Sequence, residues 1–151
     1  MRHIIRELQE ADLSKCLSDT LAGLAEVGLS AAELRAIMEE RRRTGAYTFV
    51  AIDPTSEEVV GTASLITERK FIHRGGRSGR IEDVSVRRGY RGQGLGAALV
   101  QHAIQEARRL GCYKVILNCF EQLVPLYASM GFRKHDLGMR LDLGTGMEMR
   151  S

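Results

Sequence analysis

The sequence predicts an α/β (α+β) protein with a mixed central sheet and helices on both faces. Three observations carry that reading. Short apolar runs of strand length alternate with stretches whose apolar residues recur every three or four positions. Strand-like runs in the first half are joined by turns, whereas those in the second half are joined through helices, so antiparallel and parallel pairs share one sheet. A glycine-rich turn, Arg91-Gly92-Gln93-Gly94-Leu95-Gly96, joins a strand to a helix.

Each element follows from local chemistry. His3 to Arg6 reads as a first strand. Asp12 can cap a helix from near Leu13 to about Leu24. Ser30 with Glu33 is a capping-box pattern that opens a helix from Ala31 to about Arg43, closed by Gly45. Tyr47 to Ile52 and Val59 to Thr67 flank the turn residues Asp53-Pro54-Thr55-Ser56, which predicts a hairpin. Residues 74–80 read as a flexible basic loop. Ile81 to Val86 alternates imperfectly, so a bulge or a change of face is expected within it. Leu95, Leu99, Ala103 and Ala107 fall four apart and define the buried stripe of the next helix, which Gly111 stops. Tyr113 to Cys119 reads as a buried strand, Leu123 to Met130 as a short helix ended by Gly131, and Phe132 to Leu143 as the last strand. The domain therefore covers 1–143, and the tail 144–151, which lacks periodicity, is read as mobile.

Composition narrows the class. The chain has 151 residues, 44% hydrophobic and 27% charged, which suits one globular domain with a real core. No apolar run approaches membrane-spanning length, and Met1 to Glu7 lacks the apolar core of a signal peptide. A cytoplasmic protein with no membrane partner is expected. The net charge of +3 is scattered apart from Arg41-Arg42-Arg43 and the segment Arg69 to Arg80, so no nucleic-acid partner is expected. The arginine triplet suits the solvated last turn of a helix, where cations meet the negative end of the dipole. Three widely spaced cysteines with no CxxC pair predict neither a disulfide framework nor a metal site. Cys119 reads as a small buried hydrophobe and Cys112 as core or rim.

The glycine turn carries the chemistry. The first N–H groups of a helix lack partners and lie at the positive end of its dipole, so a strand, a glycine turn and a helix in that order form a phosphate cradle. A single glycine would serve an ordinary helix start; three at alternate positions suit close backbone approach to a phosphate.

These residues resemble a family. Arg or Gln, two residues, Gly, one residue, then Gly or Ala is the acetyl-CoA signature of the GNAT acetyltransferase superfamily, matched here by Arg91 to Gly96. Phe71-Ile72-His73, Ile81-Glu82-Asp83-Val84, Gly111-Cys112-Tyr113-Lys114, and Tyr127 ahead of Gly131-Phe132 look more narrowly like the glucosamine 6-phosphate N-acetyltransferases, over about Ile4 to Leu143. The resemblance implies acetyl transfer from acetyl-CoA to the 2-amino group of glucosamine 6-phosphate by direct attack in a ternary complex; the alternatives are the same transfer to another primary amine, such as free glucosamine, and a non-catalytic acyl-CoA-binding module. It implies no metal, a homodimer that shares its last strand, and a product used in UDP-N-acetylglucosamine synthesis.

The resemblance also implies roles. The amides of Gly92, Gln93, Gly94, Leu95, Gly96 and Ala97 would hold the pyrophosphate, with Arg91 adding charge. The backbone of Val84, Ser85 and Val86 would run beside the pantetheine arm. The residues alone leave Tyr127 open between packing under the cofactor and protonating the leaving thiolate; the resemblance implies the acid. Glu82 and Asp83, which face opposite ways on an unbroken strand, would meet the sugar hydroxyls and amine. Lys70, His73, Tyr113, Lys114 and Arg140 would meet the sugar phosphate. The chain departs from the family at four places: Asn118 stands where Asp is usual and would orient the amine through its carbonyl, Asp142 stands where Arg is expected, Leu123 replaces an Asn, and Ala25 lies near an expected Thr.

Overall fold

Alternation along Tyr47–Ile52 decides which residues go where. In a strand, neighbours point to opposite faces. Val50 and Ile52 therefore join one core and Phe49 and Ala51 the other, and all four are buried. The computed structural model describes residues 2–144. The tail expected to be mobile lies outside the described residues from 145 onward. Packing gathers the chain into two units, residues 2–117 and 118–144.

The first unit holds a five-stranded sheet in the order β1-β2-β3-β4-β5. The strands are β1 Ile4–Glu7, β2 Ala46–Ile52, β3 Val59–Arg69, β4 Arg77–Val86 and β5 Cys112–Leu117. The first three pairings are antiparallel and β4 with β5 is parallel, the mixed sheet that the connections predict. Helices α1 (Leu17–Leu21) and α2 (Ala31–Arg43) cover one face. There Leu8, Leu13, Leu17, Met38, Val50, Ile52 and Val59 form a buried cluster against Leu21 and Leu34. Helix α4 (Leu95–Arg109) covers the other, burying Leu95, Leu99, Val100, Ala103 and Ala107. It lies so close that a Cβ on Gly61 of β3 would stand 2.9 Å from the Leu99 side chain.

Several expectations hold in detail. The Ser30 hydroxyl accepts from Glu33 N–H at 3.2 Å while the Glu33 carboxylate accepts from Ser30 N–H at 3.0 Å. The β2–β3 hairpin forms, and a bulge interrupts β4. Others fail for physical reasons. No helix starts at Asp12. Its carboxylate instead takes the Gln9 N–H at 2.8 Å and both Arg6 guanidinium nitrogens at 2.6 and 2.9 Å, closing a 3-10 turn over Glu10–Ser14. Cys16 at φ 68° then separates that turn from α1. The basic segment is not a loop throughout: α3, the single turn Ile72–Gly75, precedes β4, which begins at Arg77. The arginine triplet does close α2, yet it braces the sheet. Arg41 bonds Ser64 Oγ at 2.9 Å, and Arg42 donates to the Leu8 carbonyl at 2.6 Å. Strand β5 ends at Leu117, and its Tyr113 and Lys114 are exposed, because it is the edge strand of this sheet.

In the second unit, a 3-10 turn at Glu121–Leu123 leads into α5, Val124–Ser129. Residues 132–144 carry no strand, against expectation, and Cys119 is exposed rather than buried. A strand needs a neighbour to take its hydrogen bonds, and this segment has none among the described residues.

Burial alone would raise the Asp12 carboxyl, but the Arg6 and Gln9 hydrogen bonds outweigh it and the net shift is downward. Its stabilising contribution is therefore complete above the ordinary carboxylate pKa, near 4, and is lost as pH falls through the lower folded value. Asp12→Ala should cost about 3 kcal/mol at pH 7, since Arg6 keeps some water contact, and less at pH 3. Urea unfolding at both pH values checks this; a penalty that does not change with pH would refute it.

Candidate active site

Strand β4 builds the site by keeping one neighbour and losing the other. It pairs with β3 as far as Val86, but with β5 only as far as Ile81 opposite Leu117. From Glu82 onward one edge of β4 has no strand partner among the described residues. Within that open stretch Ser64 pairs with Glu82 while Thr62 pairs with Ser85, so β4 carries one extra residue. Asp83 takes up the difference at φ 52°, a left-handed conformation that a non-glycine residue adopts at some cost. The bulge resets the facing pattern. Glu82 and Asp83 are both exposed, which two adjacent residues on a regular strand facing a core would not be.

The end of β4 is pinned on its other sides. Ser85 is buried and its hydroxyl donates to the Thr20 carbonyl of α1 at 2.8 Å, so its side chain serves the fold while its backbone lies on the open stretch. The Val86 carbonyl accepts from Arg91 Nε at 2.9 Å. Arg91 thus folds back on the strand instead of reaching outward from the turn. A Cβ on Gly23 would lie 3.4 Å from both the Arg91 guanidinium and the Ser85 hydroxyl, so the chain after α1 closes over this pair.

The turn itself fits a pyrophosphate. Gly92 and Gly94 have φ 81° and 79°, and no atom beyond their chain neighbours lies within 4 Å of a Cβ built on either. Glycine is needed there for the backbone path, and the space beside it is open. Ala98 N–H makes the bond to the Gly94 carbonyl at 3.0 Å, which leaves the Leu95, Gly96 and Ala97 N–H groups ahead of it in the first turn of α4. They open a helix of fifteen residues, enough to set up a full dipole.

A second group of candidates gathers at the far end of β4. The His73 and Tyr113 rings stack with centroids 4.2 Å apart and 31° between planes. Tyr113 is the extra residue where the β4–β5 register shifts, since Arg77 pairs with Cys112 and Ser78 with Lys114. The Lys114 ammonium sits 5.7 Å from the Tyr113 ring centre, and Lys70 pairs with Glu68 at 2.9 Å. His73 and Arg74 have φ 52° and 57°, so this tip holds local strain. Lys70, His73, Tyr113 and Lys114 are thus brought together. Five residues of strand separate their register from Glu82, about 16 Å at the usual rise, so one chain does not bring them to the acidic pair.

The remaining candidates belong to the second unit. Tyr127 is half-buried and its ring meets Phe132 edge-on at 5.8 Å. Burial, then the neighbouring Cys119, raises its phenol above the ordinary value of 10.0. It is therefore neutral and able to donate a proton at physiological pH. Asn118 is exposed, with its side-chain amide beside Gly138. Arg140 is not on a strand; its Nε donates to Asp142 at 2.6 Å.

This geometry has known counterparts. Residues 4–132 match the model of the acetyltransferase (GNAT) family. The chain belongs to the GNAT acetyltransferase family. A curated relative from Trypanosoma brucei brucei, glucosamine 6-phosphate N-acetyltransferase, is 47% identical over 92% of this chain and 95% of its own length. A crystal structure of a Trypanosoma brucei acetyltransferase superposes with a TM-score of 0.89 at 44% identity, covering 94% of this chain and 100% of that one. The crystal structure of glucosamine-6-phosphate N-acetyltransferase from Arabidopsis thaliana has a TM-score of 0.88 at 30% identity, covering 94% and 99%. As a GNAT acetyltransferase the chain is an acetyl-CoA-dependent N-acetyltransferase. Sequence reasoning missed the residues that fix the GNAT turn from behind: Thr20, Gly23, Arg87 and Tyr90. Only Tyr90 carried a signal, an aromatic ring directly ahead of the glycine turn.

Proposed function

We propose that the protein transfers the acetyl group of acetyl-CoA to the 2-amino group of glucosamine 6-phosphate, giving N-acetylglucosamine 6-phosphate and CoA. The amine attacks the thioester carbonyl directly in a ternary complex. The observation that carries the donor half is the open edge of β4 beside the glycine turn of α4. An extended amide-bearing arm can pair with that edge while its pyrophosphate meets the N–H groups of residues 92–97. The acceptor half is supported by relatives named for glucosamine 6-phosphate.

In this reading the exposed Glu82 and Asp83 hold the amine and sugar hydroxyls, and the Asn118 carbonyl orients the amine. Tyr127 gives its proton to the thiolate as the carbon–sulfur bond breaks. Lys70, His73, Tyr113, Lys114 and Arg140 meet the phosphate. A second reading, the same transfer to an unphosphorylated amino sugar, is favoured by the pairing of Arg140 with Asp142. A thiol-release assay decides between them. Glucosamine 6-phosphate is expected to give the highest kcat/KM; free glucosamine doing as well would select the second reading. No release of CoA with either sugar or with polyamines would overturn both. Tyr127→Phe should lower kcat about 100-fold with the affinity for CoA unchanged, a size typical of a lost general acid. Unchanged turnover would remove that role.

The protein works as a cytoplasmic homodimer in this reading. Leu137, Met139, Leu141 and Leu143 alternate along the segment that has no strand partner among the described residues and are 93%, 97%, 81% and 85% exposed. Phe71 at the tip before β4 is fully exposed. A period-two apolar row wants a sheet, and a second copy supplies one. The 16 Å between the cationic tip and the acidic pair has the same remedy: each tip completes the acceptor site of the other copy. Light scattering at micromolar concentration should give twice the chain mass. Leu141→Asp should yield monomers that lose acceptor turnover yet still bind CoA; a fully active monomer would refute the shared site.

A further inference from the structure

The cofactor turn is poorly supported by its own contacts. Residues 91–94 are exposed, and nothing packs within 4 Å where side chains at Gly92 or Gly94 would begin. Its path therefore depends on what holds its two stems. One stem is α4. The other is the 3-10 turn Arg88–Tyr90, three residues long, which has little rigidity of its own.

That second stem is tied to the turn of the β2–β3 hairpin. The Tyr90 hydroxyl donates to Asp53 Oδ2 at 2.7 Å. Asp53 is itself fixed, because its other oxygen accepts from Thr55 N–H at 2.9 Å and its backbone N–H donates to the Glu58 carbonyl at 3.0 Å. One step back, Arg87 bridges to the same turn. Its guanidinium meets Glu58 at 2.9 Å and the Val59 carbonyl at 2.7 Å, and its backbone N–H donates to Val60 at 2.8 Å. The Tyr90 ring lies between the Arg87 guanidinium, 5.9 Å from its centre, and the His3 ring, edge-on at 5.8 Å. The hydroxyl is thus the tip of a braced ring, aimed at a braced carboxylate. A hydrogen bond to a charged acceptor is among the stronger neutral-donor bonds.

The geometry points to Tyr90 and Asp53 as positioning residues for the donor: their hydrogen bond holds the Arg91–Gly96 turn in the form that receives the CoA pyrophosphate. Neither side chain is required to touch the cofactor. The bond acts by limiting the conformations of the empty turn, so less order has to be imposed on binding. This rests on the acetyl-CoA reading above, and it separates donor affinity from acceptor affinity and from chemistry. The Glu82 bulge and Tyr127 are untouched when the bond is cut.

Tyr90→Phe removes one oxygen and keeps the ring. It should weaken CoA binding, measured by calorimetry, about fivefold to tenfold and raise the acetyl-CoA KM by the same factor. At saturating acetyl-CoA, kcat should stay within about twofold, and the acceptor KM and the thermal midpoint should be unchanged. Asp53→Asn should give a similar loss, and adding it to Tyr90→Phe should cost little more, because both cut one bond. Wild-type affinity for CoA in Tyr90→Phe overturns the proposal. So does a variant that loses donor and acceptor affinity together with its thermal midpoint, which would make the bond merely structural. Wild-type protein that fails to bind CoA would overturn the donor reading and the strap with it.

Discussion

Strand β4 has two neighbours and cannot keep register with both. It pairs with β3 throughout but carries an extra residue at Asp83, and it pairs with β5 only until Ile81 after a shift at Tyr113. A β-bulge sharpens local twist and bends the strand that bears it. Strand β5 ends at Leu117, opposite Ile81, so the bulge at Asp83 falls on the stretch of β4 that β5 no longer borders. The open edge follows from the end of β5 at Leu117, and the exposed acidic pair follows from the bulge that β4 carries just beyond it. Removing the extra residue would restore the ladder and put Glu82 and Asp83 on opposite faces.

The same mismatch distributes charge. Exposed carboxylates collect at the bulge, while Lys70, His73 and Lys114 collect at the opposite end of β4 near the shift at Tyr113. The opposite charges assigned to the proposed acceptor are thus kept apart within a chain. Close together they would neutralise each other in the empty site, as Lys70 and Glu68 already do at the tip. Separation by a strand length leaves each group with a local partner instead, Glu82 with Arg80 at 3.6 Å and Lys70 with Glu68. The row Leu137, Met139, Leu141 and Leu143 is likewise unmatched: its alternation suits a sheet that is not formed among the described residues.

Much of this was legible in the sequence, and the failures share a cause. Elements set by neighbouring residues came through: the Ser30–Glu33 box, the hairpin around Asp53, the stripe of α4 and the path of Gly92 and Gly94. The imperfect alternation of Ile81 to Val86 even announced the bulge. What failed depended on partners outside the element being read. Asp12 looked like a helix cap because nothing local reveals Arg6 reaching it across a strand end. Phe132 to Leu143 looked like a strand because its pattern is one, whereas hydrogen-bond partners cannot be read from a pattern. The glycine turn is legible as a phosphate cradle from its own residues, and the roles expected of Tyr127 and Glu82 come from a resemblance whose motifs are local. The ties that steady them, Ser85 to Thr20 and Tyr90 to Asp53, span 65 and 37 residues and left no local signal.

The pairing of Arg140 with Asp142 bears on the acceptor, and magnitudes decide how much. Arg140 is 85% exposed and Asp142 45%, so the pair sits in water. Exposed ion pairs are worth about 0–1 kcal/mol. A phosphate offers a guanidinium two charge-assisted hydrogen bonds and a larger charge than a carboxylate, and such bonds contribute about 1.5–3 kcal/mol each where water is excluded. Breaking the pair therefore costs less than a bound phosphate would return. In the proposed acceptor site Asp142 weakens phosphate binding by Arg140 without abolishing it, and its larger effect is on selectivity. The free sugar leaves the Arg140–Asp142 pair intact and pays nothing for it, whereas the phosphate must first displace Asp142. A preference for the phosphorylated sugar should therefore be narrower than an unpaired arginine would give, and removing the carboxylate should widen it.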